Sequence, residues 1–357
     1  MISELKLNNF RCFETSTINL SPGINFFYGP NGSGKTSILE AIYMCSSGKS
    51  FKSTNIKSLI SFDQDCFSIN AYDSSKGYTL NLVKGRTSPI SIKINNTKST
   101  TSRLIKEFPA TAIHNNTFSF ANASPDFRRK ILDRSLFVSN QNFSAIWFGF
   151  YRSLKQRNSS LKKGLIDNID AWNQKVSEEG GLLDINRIAF FEESLLELNS
   201  IFNKLKPCAI TENLNKVNIE FFSGWDKDNE LYKLLAQNQK KDLFSKTTTQ
   251  GPHKADIKIL IKGMDAKQIL SRGEQKILSI LWCCSQNEVL RKKYNIDATL
   301  IIDDIKSELD NSTFEVFLNL LNFLDNQVIF SCIDDHFSSK IDPNYKDFKK
   351  FHVEQLR

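Results

Sequence analysis

The sequence predicts an α/β fold in which a phosphate-binding loop joins a buried strand to a helix, with a second, mainly helical lobe and no long coiled coil. Three observations predict it. The segment Gly29-Pro30-Asn31-Gly32-Ser33-Gly34-Lys35-Thr36 fits the pattern G-x-x-x-x-G-K-[ST] and directly follows the apolar run Ile24–Tyr28. A second apolar run, Thr299–Ile302, ends in the acids Asp303 and Asp304. From Ser124 to about Lys163, and again from Leu183 to Leu205, the apolar spacing turns helical.

Size and composition set the frame. A chain of 357 residues allows about two domains or lobes. With 40% apolar and 24% charged residues the composition is globular, which excludes a disordered tail or a collagen-like rod. No apolar stretch approaches the roughly 20 residues that cross a bilayer. The opening Met-Ile-Ser-Glu-Leu-Lys has no basic segment followed by an apolar one, which predicts no secretion signal. The cysteines number seven, an odd count, and form no Cys-x-x-Cys pair, which predicts reduced thiols and a cytoplasmic location. The net charge of +8 permits a nucleic-acid partner without establishing one.

The elements follow in order. Leu5 and Leu7 alternate with polar neighbours, as do Ile18 and Leu20, which predicts strands closed by the turn Ser21-Pro22-Gly23. A helix is expected from Lys35 through Ile38, Leu39 and Ile42. Residues 56–108 read as short strands broken by polar turns such as Asp73-Ser74-Ser75-Lys76-Gly77. Ser124-Pro125-Asp126 starts a helix, with Ser as cap and Pro in the first turn. Ile188, Phe191, Leu195, Leu198, Phe202 and Leu205 form a heptad seam that Pro207 ends before three heptads, which predicts a packed helical hairpin. Residues 239–251 read as a polar linker, Asp256–Ile261 as a strand, Gly273 to Val289 as a helix and Val328–Cys332 as a last buried strand.

The loop glycines let backbone N–H groups wrap a phosphate at a helix N-terminus. Lys35 is expected to bridge the β- and γ-phosphates of ATP, and Thr36 to ligate Mg²⁺. Asp303 is expected to hold the Mg²⁺, and Asp304 to polarise the attacking water. The segment Leu270-Ser271-Arg272-Gly273-Glu274-Gln275-Lys276 resembles the signature motif of ABC-type ATPases, which implies nucleotide contacts from Ser271, Gly273 and Gln275. Ser307-Glu308-Leu309-Asp310 resembles their D-loop. In that superfamily the signature surface faces the γ-phosphate held by the opposite subunit.

The interval from Thr36 to Ser271 is too short for the arms of SMC-type proteins. The whole chain resembles the RecF recombination-mediator family, a head-only relative of those ATPases. The resemblance rests on Asn9-Phe10-Arg11, the phosphate loop, Ser124 to Asp133, and Leu154-Lys155-Gln156-Arg157-Asn158 with Leu161-Lys162. It continues through Gly251-Pro252-His253-Lys254-Ala255-Asp256, the signature segment and the acids. It departs at His114-Asn115-Asn116-Thr117-Phe118, where the family has an acidic segment, and at Lys254, where Arg is usual. The resemblance implies a two-lobed ABC-type head, with residues 1–110 plus 295–357 against 111–294. It further implies a slow ATPase and an ATP-dependent homodimer clamp on gapped or single-strand/duplex DNA. RecR-like and RecO-like partners, help in recombinase loading, SOS induction and the absence of a membrane role are implied with it.

Arg152, Lys155, Ser159 and Lys162 fall on one helix face, preceded by Arg128 and Arg129 and joined by Arg157. These are the candidate DNA contacts, weighed against a solvated helix face. His253 is read either as a buried hydrogen-bonded residue or as a site residue, and Arg11 as a cation near the phosphate loop or a strand-end surface charge. The competing function is an ABC-type ATPase acting on a protein partner without DNA.

Overall fold

The computed structural model describes residues 1–114, 117–336, 341 and 347–357. The alternating N-terminal segments pair in an antiparallel sheet of order Phe13–Asn19, Glu4–Phe10, Cys66–Asp73, Tyr78–Gly85, Ser91–Ile94 and Thr97–Lys98. Period-2 alternation puts Leu5 and Leu7 on one face, where Leu5 meets Ile18 and Ala71 across the ladders, and Phe10 joins their core after Asn9 breaks the alternation at φ 52°. That face packs on Ile38, Leu39 and Ile42 of the helix Lys35–Ser47.

The apolar runs without alternation form a second sheet, parallel throughout, of order Lys349–His352, Ile24–Tyr28, Val328–Cys332, Thr299–Ile302 and Ala110–Ile113. Its central strands Val328–Cys332 and Thr299–Ile302 are buried on both faces, as a continuous apolar run requires. Phe27, Ile329 and Ile301 join the core beneath the antiparallel sheet. Phe26, Phe330 and Ile302 join the other core, with Ile277, Leu278 and Leu281 of the helix Arg272–Tyr294. That helix is buried from Glu274 to Leu290 apart from one half-buried position, polar side chains included. Some of its polar groups find partners inside: Ser279 donates to the Phe118 carbonyl at 3.1 Å, and the Gln286 and Asn287 oxygens accept from Ser135 and Thr111, while the amide nitrogens of both and the Trp282 N–H are buried without a partner.

The remaining helices include Pro125–Ser139, Phe143–Lys163 and Ile169–Lys204. Ser124 caps the first of these and Pro125 opens it, as expected. The third has 36 residues, about 54 Å, and packs against the second as a hairpin. It begins well before the predicted Leu183, because the Gly180-Gly181 pair reads as a break. In the structure a Cβ on Gly180 would meet Leu231, Phe150 and Pro252 at 3.2–3.3 Å, so the glycine allows close packing inside the helix.

Two further expectations are corrected. Residues 101–107 form the helix Thr101–Glu107, capped by Thr100, not a strand. The polar linker at 239–251 contains the helix Gln239–Ser245, held by the buried carboxylate of Asp242, which accepts from Arg157, Thr249 N and Thr249 Oγ1.

That carboxylate belongs to a set of buried ion pairs that knit the second core. Arg157 is fully buried and donates to Asp242 at 2.7 Å, Asn173 at 2.7 Å and Thr248 at 2.8 Å. Asn158 takes two bonds from Thr248. Arg187, also fully buried, grips Asp133 through two nitrogens at 2.7 Å and the Pro252 carbonyl through the third. Arg128 forks onto Asp256 at 2.8 and 2.9 Å, and Arg129 donates to the Ala255 carbonyl at 2.5 Å. The Gly-Pro-His turn has its own requirement: a Cβ on Gly224 would lie 2.2 Å from the Gly251 carbonyl oxygen. His253 is half-buried and hydrogen-bonded, its Nε2 2.9 Å from the Thr248 carbonyl.

Removing one partner of a fully buried pair strands the other's charge. Arg157→Ala is expected to cost about 3–5 kcal/mol, measured by denaturant unfolding. Burial also pushes the His253 imidazole from its ordinary 6.5 down to about 4. Between these values the unfolded chain holds the extra proton, so acidification favours unfolding. His253→Gln keeps an N–H for Thr248 and should remove close to one proton from the pH dependence of stability in that window. An unchanged slope by titrated unfolding would contradict the burial of the ring.

Candidate nucleotide site

The parallel register places three strand ends side by side: Tyr28, Ile302 and Cys332, each followed by a polar segment. The chain leaves Tyr28 into the phosphate loop and enters the helix at Lys35. Gly34 has φ 108°, and a Cβ there would lie 2.8 Å from both the Cys12 sulfur and the Phe13 ring, so only glycine lets the loop rest on the first hairpin. The Lys35 ammonium curls back to the Gly29 carbonyl at 2.6 Å and the Pro30 carbonyl at 3.0 Å. Burial pulls its pKa below the ordinary lysine value, while Asp304 and Asp303 oppose the shift.

Thr36 donates to Asp303 Oδ1 at 3.2 Å, and Ser331 donates to the same oxygen at 2.9 Å. Burial raises the Asp303 carboxyl above its usual range, and the bonds from Ser331 and Thr36 pull it back. Asp304 sits in the left-handed region at φ 48°, its N–H bonded to Ser331 Oγ at 2.8 Å. Its Oδ1 is buried without a hydrogen-bond partner. Asn31, Gly32, Gly34, Lys35, Thr36 and Asp304 border one cleft of about 620 Å³. Arg11, Cys12, Lys52, Ser58 and Ile60 form the rest of its wall, so the cleft pairs a cationic floor with a small apolar side. Pro30 projects into solvent, and Ser33 is buried with an unpartnered hydroxyl.

The signature segment stands apart from this cleft within the chain. Ser271 is exposed and caps the helix Arg272–Tyr294 through a reciprocal box with Glu274, at 2.8 and 3.2 Å. Gly273 packs against the D-loop-like segment, where a Cβ would meet Thr313 at 2.9 Å and Asp310 at 3.0 Å. Lys276 ties the two together through Glu308 at 2.7 Å. Gln275 is buried and spends its amide on the Leu270 and Lys267 carbonyls and on Asn122. Within the chain its side chain shapes the segment.

The candidate DNA residues divide sharply. Arg152, Lys155 and Lys162 are exposed and carry no ion pair among the described residues. Arg157 and Arg129 are buried, their guanidinium groups taken by Asp242 and the Ala255 carbonyl, and the half-buried Arg128 forks onto Asp256. Arg11 borders the cleft, with its fork on the buried Glu40 at 3.0 and 3.1 Å. Sequence reasoning missed Lys52, which faces Asp303, and Ser331, one position before the expected strand end. Lone serines and lysines carry no spacing signal. His114 stacks on Phe51 with ring centroids 5.1 Å apart, while Asn115 and Asn116 of the variant segment lie outside the described residues.

Comparison with known proteins agrees with this geometry. The family described as RecF/RecN/SMC N terminal domain matches residues 1–353. The chain is 32% identical over 362 residues to the DNA replication and repair protein RecF of Pseudoalteromonas translucida, covering 99% of this chain and 97% of the relative. It is 31% identical to the protein of the same name from Erwinia tasmaniensis, over 99% and 97% of the two chains. Among solved structures it superimposes on the recombination mediator protein RecF-ATPrS of the RecFOR pathway with a TM-score of 0.79 at 24% identity, over 99% and 96% of the two chains. An Smc head bound to the C-winged helix domain of ScpA follows at a TM-score of 0.57 and 15% identity, over 96% and 92%. These likenesses fix the fold as an ABC-type head. With a match running through nearly every residue and full-length relatives above 30% identity, the chain belongs to the RecF family.

Proposed function

We propose that the protein is an ATP-dependent DNA-binding protein of recombinational repair and replication, a slow ATPase that works as a switch. The observation that carries the ATP part is the Thr36–Asp303 bond at 3.2 Å beside the buried Lys35, at the ends of parallel strands. The DNA part rests on family membership and on relatives named for DNA replication and repair.

The cleft residues fit the polyphosphate of ATP. Lys35 would exchange the Gly29 and Pro30 carbonyls for phosphate oxygens, and Gly29, Pro30, Asn31, Gly32, Ser33 and Gly34 would wrap the chain's backbone around them. The donor set fits Mg²⁺: a hydroxyl from Thr36 and a carboxylate from Asp303 are hard oxygen ligands, and the unpartnered Oδ1 of Asp304 stands free for a water beside them. Bound Mg²⁺ would supply charge neutralisation at the phosphates. Asp303 and Thr36 would orient that charge, and Asp304 would accept a hydrogen bond from the attacking water. Ser271, exposed, and Gly273, half-buried, at a helix start away from the chain's own cleft, would complete the site of a second copy. ATP would thus close a homodimer over gapped or single-strand/duplex DNA, with Arg152, Lys155 and Lys162 on phosphates, and hydrolysis would reopen it.

The two-lobe division is 1–110 plus 295–357 against 111–294, with the strand Ala110–Ile113 running across the first boundary. RecR-like and RecO-like proteins would be the partners in loading recombinase, with SOS induction downstream. Among the described residues no helix is long and apolar enough to cross a membrane. The free cysteines suit a cytoplasmic setting.

The deciding experiment is affinity for a gapped duplex at fixed salt with ATP, ADP and no nucleotide. Wild type with ATP should bind tightly, and Lys35→Ala should lose roughly 10- to 100-fold of that gain. Equal binding in every state would defeat the switch, and no binding would favour a protein-partner ATPase. Ser271→Arg should retain ATP as a monomer and fail to dimerise by light scattering. Normal dimers from it would remove the signature assignment.

A further inference from the structure

Phe244 is 92% exposed, more than any other large hydrophobic residue among the described residues. It stands on the helix Gln239–Ser245, where Lys240 and Lys241 lie four and three positions before it and so share its face. Lys246 follows at the helix C-cap. All three lysines are exposed, and none joins an ion pair or ring contact among the described residues. The one acid of the helix, Asp242, points the other way and is fully buried.

The element is held hard from behind. Asp242 receives Arg157 at 2.7 Å and both the N–H and the hydroxyl of Thr249, at 3.0 and 2.6 Å. Thr248 is tied to Arg157, Asn158 and His253. The Gln-Arg-Asn and Gly-Pro-His blocks thus converge on the segment that carries Phe244. Burying an ion pair is costly relative to an apolar replacement, and what it supplies is a fixed position. An aromatic ring left bare in water and ringed by unpaired cations, on a segment fixed by two motif blocks, has the composition of a single-strand stacking platform. An unpaired base stacks on a ring without sequence preference while lysines take the flanking phosphates.

The geometry points to the face of Lys240, Lys241, Phe244 and Lys246 as a contact for the unpaired strand of DNA, with Phe244 stacking on a base. This rests on the DNA reading above and adds where the single-strand preference resides. A fully paired duplex keeps its bases stacked internally and offers the ring nothing. The charge complementarity of the face selects a polyanion over an apolar groove or a second copy of this basic chain.

The test compares a gapped duplex with a fully paired duplex of the same length, by anisotropy with ATP at fixed salt. Phe244→Ala should lose about tenfold on the gapped substrate, within the range of one stacked base, and less than twofold on the paired one. Phe244→Trp should restore gapped binding. Lys240→Gln with Lys241→Gln should flatten the slope of log affinity against log salt by about 1.4 on the single-strand-containing substrate. Equal losses on both substrates, or none, would overturn the assignment. A shift in sedimenting mass for Phe244→Ala with unchanged DNA preference would assign the face to self-association and overturn it too. Absence of DNA binding by wild type would defeat the DNA reading itself, a different outcome from a failed Phe244 contrast.

Discussion

Register in the parallel sheet is the constraint on which the rest of the structure depends. Phe330 lies opposite both Phe26 and Ile302, and that alignment brings the exits of Ile24–Tyr28 and Thr299–Ile302 to the same edge. One strand supplies the loop and Lys35, and its second neighbour supplies Asp303 and Asp304. A slip of one residue would move an acid by about 3.3 Å and turn it to the other face of the sheet. Such a slip would also exchange the residues that feed the two cores, since Phe27 and Ile329 pack on one side and Phe26 and Phe330 on the other. Apolar packing on both faces therefore sets the geometry of a polar site at the edge. The hydrogen bonds of Asp303 with Thr36 and Ser331 are its local expression.

Much of this was legible in the sequence because the relevant signals are local. A loop pattern between an apolar run and a helix, or an apolar run ending in two acids, needs no knowledge of distant contacts. The strands Thr299–Ile302 and Val328–Cys332 fall where composition places them, since full burial admits few other residue types, and Asp256–Ile261 falls where its alternation places it. The Ser124 cap and Pro125 start read directly for the same reason.

What was not legible depends on partners far along the chain. Arg128, Arg129 and Arg157 look like surface cations in a basic helix, and only Asp256, Ala255 and Asp242 reveal them as bonded within the protein. Those partners lie 85 to 128 residues away. The helix Gln239–Ser245 was hidden by its polar composition, because its stability comes from one buried carboxylate and not from an apolar stripe. The early start of Ile169–Lys204 was hidden by a glycine whose value lies in what packs on it. Ser331 matters through its bonds with Asp303 and Asp304, and Lys52 through the cleft it lines, and a single residue type carries no such relation in the sequence.

The fully buried pairs Arg157–Asp242 and Arg187–Asp133 have a consequence for how this chain can change over generations. Losing either member alone leaves a bare charge in the core, so the intermediate on any one-step path is worse than both ends. An apolar pair could serve the packing equally well, yet it is reached only by two changes made together. These four positions are therefore bound to drift in couples or stay fixed, independent of any direct demand from nucleotide or DNA. Invariance at Arg157 would then record the difficulty of leaving a state, and not contact with a ligand.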